Sequence, residues 1–291
     1  MTESIVITDM TNIARVHRYI RKNEADIISP VKKLWNSQGE IINPDTAAKA
    51  IQKGGVPSEW RDPWNEMIRA FVGEDLVSEW IRTITTAGEG VAKKINKIER
   101  KQFAFSNTAI SVKKWTDLNG GKLIVDLSEA AYGSIHALLQ HQIAVMGVTS
   151  PYVLAQRLKP LVGLTKREAL AVARFELSLA EEGVSTSAAA AQTQKYAEFL
   201  HKNRAARIAR TELSNSYNFG QFDSLKQAGM AGELPGEVEK TWMAGGTDPC
   251  DLCEELDGET VPIDQAFSSG HDHPTAHPQC ECAVGYKVIR H

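Results

Sequence analysis

The chain has 291 residues, of which 42% are hydrophobic and 24% charged, with a formal net charge of −3. These values fit an ordinary globular protein with room for one large or two modest cores. No apolar run approaches the roughly 20 residues that cross a bilayer, and the opening Met-Thr-Glu-Ser-Ile-Val-Ile-Thr-Asp lacks the charged start and apolar stretch of a signal peptide, so no membrane contact and no export are expected.

The charge is unevenly divided. From Glu233 onward there are 12 acidic against 3 basic residues, behind a mildly basic body. That balance is compatible with nucleic-acid contact by the body alone, although solvated helix faces give the same count.

In chain order, short helical pieces are predicted over 13–19 and 28–35. Asn43-Pro44-Asp45 starts a helix through 51, stopped by Gly54-Gly55. Ser58 reads as an N-cap, with Pro63 close behind. Leu76, Trp80 and Ile84, flanked by Val77 and Ile81, then form the apolar stripe of an amphipathic helix. Trp35, Trp60, Trp64, Trp80 and Trp115 are expected in the core, in preference to a ligand-stacking role. Lys93, Lys94, Lys97, Arg100 and Lys101 form a basic run on a helix, read as a solvated face with phosphate binding as the functional alternative. Asn119-Gly120-Gly121 predicts a turn, and a helix over 128–146 turns Ile135, Leu138, Leu139 and Ile143 inward.

The signals sharpen at Ser150-Pro151, an N-cap followed by proline at the first helical position. Thr165-Lys-Arg-Glu168 is a capping box, opening a helix whose buried stripe is predicted as Leu170, Ala173, Leu177 and Ala180 and whose stop is Gly183. The stretch 185–192 is either a linker or the start of the next helix, which runs over 194–228 on Tyr196, Phe199, Leu200, Phe219 and Phe222. Within it, Arg207, Arg210 and Ser214 share a face, with Glu212 and Asn218 close by. The first reading is a buried Arg–Glu network fixing neighbouring helices; a phosphate clamp is the second. Catalysis by Glu212 lacks a partner group.

Beyond Gly229 the period changes to two. Val238, Lys240 and Trp242 alternate as a strand, as do Val284, Tyr286 and Val288, and Asp257-Gly258 supplies a tight turn. All four cysteines lie between these strands: Cys250-Asp-Leu-Cys253, then His277-Pro-Gln-Cys280-Glu-Cys282. Paired thiols without export signals favour metal over disulfides or free thiols. A thiolate-rich set points to a closed structural zinc site with ligands among Cys250, Cys253, His277, Cys280 and Cys282. His271 and His273 are read as solvent-exposed loop residues.

These residues carry a resemblance. Gly163-Leu164-Thr165, then Ala206-Arg207-Ile208-Ala209-Arg210-Thr211-Glu212 with Asn218 and Gly220, then Trp242, Asp248, Cys250-x-x-Cys253, Leu256, Gly258 and His277-Pro278-x-Cys280-x-Cys282 resemble, in that order, the head morphogenesis or minor head proteins of tailed bacteriophages, the group similar to the phage Mu F protein. The resemblance covers about residues 150–286; Glu281 departs from the arginine expected between the last cysteines. It implies a virion component made in the host cytoplasm, incorporated near the portal during procapsid assembly and held in the capsid interior. Its partners would be portal, capsid or scaffold proteins, with non-specific contact to double-stranded DNA.

The expected fold class is mainly α, a helical body with a small C-terminal β-rich zinc-binding module. The expected divisions are a helical N-terminal region (1–149), a helical head-morphogenesis core (150–232) and an acidic zinc-ribbon-like module (233–291). The expected role is assembly and not catalysis. The rival is a zinc-dependent phage nuclease or other hydrolase using His271, His273 and His277.

Overall fold

A computed structural model describes residues 4–290. The chain opens with strand β1 (Ser4–Thr8) and continues into helices α1 (Thr11–Glu40), α2 (Pro44–Lys53) and α3 (Ser58–Ala70). A π-helical stretch, Phe71–Leu76, leads into α4 (Val77–Glu99), followed by α5 (Ile110–Gln140), α6 (Pro151–Leu158), α7 (Lys166–Glu181) and α8 (Thr186–Met230). Strand β2 (Gly236–Met243), the short helix α9 (Asp251–Leu256), β3 (Thr260–Pro262) and β4 (Ala283–Arg290) follow. The fold is mainly helical with a small sheet, as the sequence indicates.

The chain forms two compact units. The first draws on Met1–Ile27, Leu76–Asp117 and Arg207–His291; the second on Ile28–Asp75 and Leu118–Ala206.

The second unit is helical around an apolar core that includes Trp60, Trp64, Leu138, Leu139, Leu154, Leu158 and Leu164. Its helix starts follow local chemistry. Asn43 and Thr46 form a reciprocal capping box on α2, Ser150 caps α6 ahead of Pro151, and Thr165 and Glu168 form the box on α7. Arg204 is buried at 7% exposure, donates to the Gly163 carbonyl and lies 5.6 Å from the centre of the Trp35 ring.

The first unit holds the sheet, ordered β1-β4-β2-β3, with every neighbouring pair antiparallel. Its core joins Ile7, Val91, Ile95 and Leu225 to Val238, Trp242, Leu256, Phe267, Val284 and Val288. On the helical side, Trp80 meets Trp115 edge-on at 5.5 Å, and Trp115 stacks on Phe219 at 4.9 Å. A line of small and polar residues on α8 lets backbones approach. Ser224 Oγ donates to the Gly88 carbonyl at 2.9 Å, and Asn12 and Gln221 exchange reciprocal amide hydrogen bonds of 2.9 and 3.0 Å.

Several expectations from the sequence are corrected. The pieces over 13–19 and 28–35 are parts of one 30-residue helix, α1, which continues through Pro30. Buried Val16, Ile20, Ile27, Val31 and Leu34 keep a helical spacing across the proline, so burial along one face outweighs the lost N–H. Asn119-Gly120-Gly121 is no turn; it lies inside α5, with Gly120 buried. Ser58 is the first helical residue, not the cap; Pro57 precedes it and makes no side-chain cap bond. On α7 the buried residues are Ala169, Val172, Ala173 and Leu179, while Ala180 is exposed. The predicted stripe shares only Ala173 with them. Phe199 is 57% exposed, although Phe219 is buried.

Gly220 marks a close approach of α8 to α4 within the first unit. A Cβ there would lie 2.5 Å from the Ile84 carbonyl oxygen and 2.8 Å from the Ile84 Cα, both backbone atoms. Gly220→Ala must therefore push α8 and α4 apart. We expect a loss of about 1–3 kcal/mol of stability, read as a lower urea midpoint; an unchanged midpoint would show that the contact relaxes freely.

Candidate metal centre

Cys250 is the N-cap of α9 and Cys253 lies in its first turn, so the i, i+3 spacing turns both thiols to one side. The pair lies between the predicted strands, as expected, but on a short helix. The other candidates come from the irregular segment between β3 and β4 and from its last residue, Cys282, just before β4. Gln279 bends that segment with a left-handed backbone (φ 61), and its N–H donates to Thr211 Oγ1 of α8 at 3.0 Å. Cys280 N–H closes the turn onto the His277 carbonyl at 3.1 Å. The loop is thus fixed from both sides before any ligand is considered.

Five side chains converge. His277 Nε2 lies 3.1 Å from Cys250 Sγ and 3.1 Å from Cys253 Sγ, and Cys253 Sγ lies 3.7 Å from Cys280 Sγ. Two sets of donor atoms, Cys250–Cys253–His277 and Cys253–Cys280–Cys282, each lie within 4.8 Å of one another. Cys253 belongs to both. A tetrahedral metal with sulfur bonds of ~2.3 Å separates its sulfurs by ~3.7 Å, so the Cys253–Cys280 distance fits a shared ion. His277 Nδ1 lies 2.9 Å from the Pro278 carbonyl. Donation there leaves Nε2 as the free lone pair facing the thiols, the tautomer a metal requires.

Electrostatics point the same way. Cys282 is held down to about 6, first by the Cys280 thiol and further by the Gly245 N–H, against the opposing effect of burial. Cys280 is pushed up by that same hydrogen bond and by burial, and Cys253 is pushed up to about 12 by burial and then by Cys282. In a partly desolvated cluster the thiols cannot all ionise together, because each thiolate raises the cost of the next. A bound cation removes that conflict by drawing off the remaining protons. These residues could hold a metal ion.

Other predicted residues lie apart from this cluster. His271 and His273 join neither donor set among the described residues. His273 is not the exposed loop residue expected. Its ring rests 5.9 Å from Phe219 and 5.7 Å from Phe222, and burial holds it down to about 4. Beside it lies a group the sequence reading missed. The Lys240 side chain is 0% exposed, donates to the Asp272 carbonyl at 2.7 Å and lies 4.8 Å from the Phe267 ring centre. Burial brings its ammonium down to about 8. Its place in a strand alternation was legible, but burial of a lysine there was not, since lysine in such a pattern ordinarily faces water.

On α8, Asn218 is buried; its Nδ2 donates to the Ser214 carbonyl at 2.9 Å and reaches the Cys282 carbonyl at 3.5 Å. Arg207 and Glu212 are both half-buried. Arg210 is not in a buried network. It is exposed and pairs with Glu24 of α1 at 2.7 Å, with half of its side chain open to solvent (50%). That ion pair, first by its hydrogen bond, holds the guanidinium above its ordinary range.

Residues 178–285 match the family described as phage Mu protein F like protein. Neither a curated protein nor a solved structure matches the chain. The match begins after Gly163-Leu164-Thr165 and spans the arginine-bearing part of α8 and the whole cysteine cluster. The resemblance read from the sequence is therefore shown over this segment, and the family suggests a phage head morphogenesis protein, associated with the virion and with other head proteins. No helix among the described residues is long and apolar enough to cross a membrane.

Two predictions come from this geometry. Because Cys253 belongs to both donor sets, Cys253→Ala should remove metal more completely than His277→Ala or Cys282→Ala; elemental analysis of the reduced proteins checks this, and full metal content in Cys253→Ala would exclude the site. Arg210→Ala breaks a solvent-exposed pair and should cost only about 0–1 kcal/mol in a denaturant titration. A loss several times larger would restore the buried-network reading.

Proposed function

We propose that this chain is a minor head protein of a tailed bacteriophage, joining the portal during procapsid assembly and remaining in the capsid interior. The observation carrying this reading is the family match over residues 178–285, which spans the whole sulfur–imidazole cluster. The partners are portal, capsid or scaffold proteins, and the working activity is binding and not catalysis. Assembly takes place in the host cytoplasm.

The metal is zinc and its role is structural. Four or five soft donors around Cys253, most of them sulfur, suit a closed tetrahedral site. Zinc bound there would tie α9 to the segment leading into β4. The residues themselves do the orienting: Thr211 anchors the loop at Gln279, Pro278 fixes the imidazole, and Asn218 reaches toward the backbone at Cys282. The basic stretch Lys93–Lys101 and the exposed Arg210 would touch DNA without reading its sequence.

Two measurements test this. Purification of assembling heads should bring the chain down with portal and capsid proteins; its consistent absence would remove the head role. Freshly prepared, reduced protein should hold one zinc per chain. Structural zinc contributes on the order of 10 kcal/mol in small sites, so chelation should sharply lower the melting temperature of the sheet-bearing unit. Zinc-dependent cleavage of DNA that disappears in Cys253→Ala would replace the structural role with a hydrolytic one.

A further inference from the structure

Away from the cysteines, the first unit carries a concave site of a different chemistry. A pocket of about 320 Å³ is lined by Arg15 of α1, by Lys93, Lys94 and Lys97 of α4, and by Tyr217 of α8, over the apolar side chains of Ile7 and Val91. No lining residue is acidic. Lys93 lies 3.6 Å from Glu89 in an exposed pair, but among the described residues no carboxylate pairs directly with Arg15, Lys94 or Lys97. The nearby Asp9 carboxylate is already engaged by the Thr11 hydroxyl at 2.6 Å and the Thr11 N–H at 3.0 Å. Those bonds hold it below its usual range before the smaller effects of Lys94 and Arg15 are added.

The second observation is Tyr217. It is 5% exposed, lines the pocket, and its hydroxyl makes no hydrogen bond to any described residue. Burial pushes the phenol up, so it remains a protonated donor at neutral pH. The hydroxyl is not sealed in the core; it reaches the solvent of the pocket, where a ligand oxygen can accept from it. The ring is packed against Tyr19, with centroids 5.0 Å apart and planes tilted by 49°. Several unpaired cations, an unfilled donor and an apolar floor suit an acceptor-only, multiply charged ligand.

We propose that this pocket binds phosphate groups, with Lys94, Lys97 and Arg15 supplying charge and the Tyr217 hydroxyl supplying a directed hydrogen bond. The phosphates come either from the DNA backbone or from a free polyphosphate. The DNA form of the proposal rests on the DNA contact proposed above; the phosphate site itself does not.

The test uses the full chain with two probes, inorganic triphosphate and a short DNA duplex of mixed sequence, across a salt series. The variants are Lys94→Gln/Lys97→Gln, Tyr217→Phe, and Arg210→Gln as a control on the other basic stretch. Wild-type protein should bind triphosphate, and the double lysine variant should bind at least about tenfold more weakly. Each lost phosphate contact lowers the salt slope by about 0.9, so the double variant should lower the slope for DNA by nearly two. Tyr217→Phe keeps the ring and the charge; it should weaken triphosphate binding roughly three- to tenfold, the equivalent of one hydrogen bond, without changing the slope.

Triphosphate binding that depends on the pocket, with no DNA binding by the wild type, upholds the site and removes the DNA contact. DNA binding whose slope falls in Arg210→Gln but not in the lysine variant places the DNA contact elsewhere and removes the DNA form of the proposal; triphosphate binding unchanged in the lysine variant overturns the pocket. Absence of triphosphate binding by the wild type overturns the pocket as well.

Discussion

The constraint on which the first unit depends is the crowding of thiols and an imidazole around Cys253. Sulfurs and nitrogen stand 3.1 to 3.7 Å apart, in a place where burial already opposes ionisation. A protein ordinarily keeps such groups apart or pairs them. Here α9, the loop at Gln279 and the start of β4 are all positioned so that they meet. The sheet core is built on the same residues: Cys253, Cys280 and Cys282 are buried in one cluster with Trp242, Leu256 and Val284. What stabilises the cluster therefore stabilises the sheet.

Helix α8 carries the rest of that unit, and its motif residues have a physical meaning as a set. Gly220 admits the backbone of α4, Ser224 satisfies the Gly88 carbonyl, Gln221 locks to Asn12, and Thr211 holds the ligand loop. Small size and hydrogen bonding, not charge, explain why these residues sit where they do. The arginines on the same helix divide differently from expectation. Arg204 is the buried one, while Arg210 faces solvent beside Glu24.

The Cys/His cluster that could hold a metal and the caps of α6 and α7 were legible because each depends on short spacing. Cys250-x-x-Cys253, Thr165 with Glu168, and Ser150-Pro151 need no knowledge of distant residues. Strand β1 was missed although Ile5, Val6, Ile7 and Thr8 are strand-forming types, because its partner lies at the far end of the sequence. The turn expected at Asn119-Gly120-Gly121 failed for a similar reason: tertiary packing decided against local preference. Burial of Lys240 and His273 was illegible because both depend on Phe222, with Phe219 beside the histidine and Phe267 beside the lysine. Phase errors along α7 arose because its apolar residues outline more than a single stripe.

The pairing of β1 with β4 also orders events in time. Thr8 and Val284, joined by a side-chain hydrogen bond, are 276 residues apart. At roughly 5–20 residues per second of synthesis, β1 leaves the ribosome on the order of tens of seconds before β4 exists. Throughout that interval the nascent chain carries an open strand edge and the unmatched apolar face of Ile7. The sheet closes only when β4 arrives, together with the cysteines that precede it.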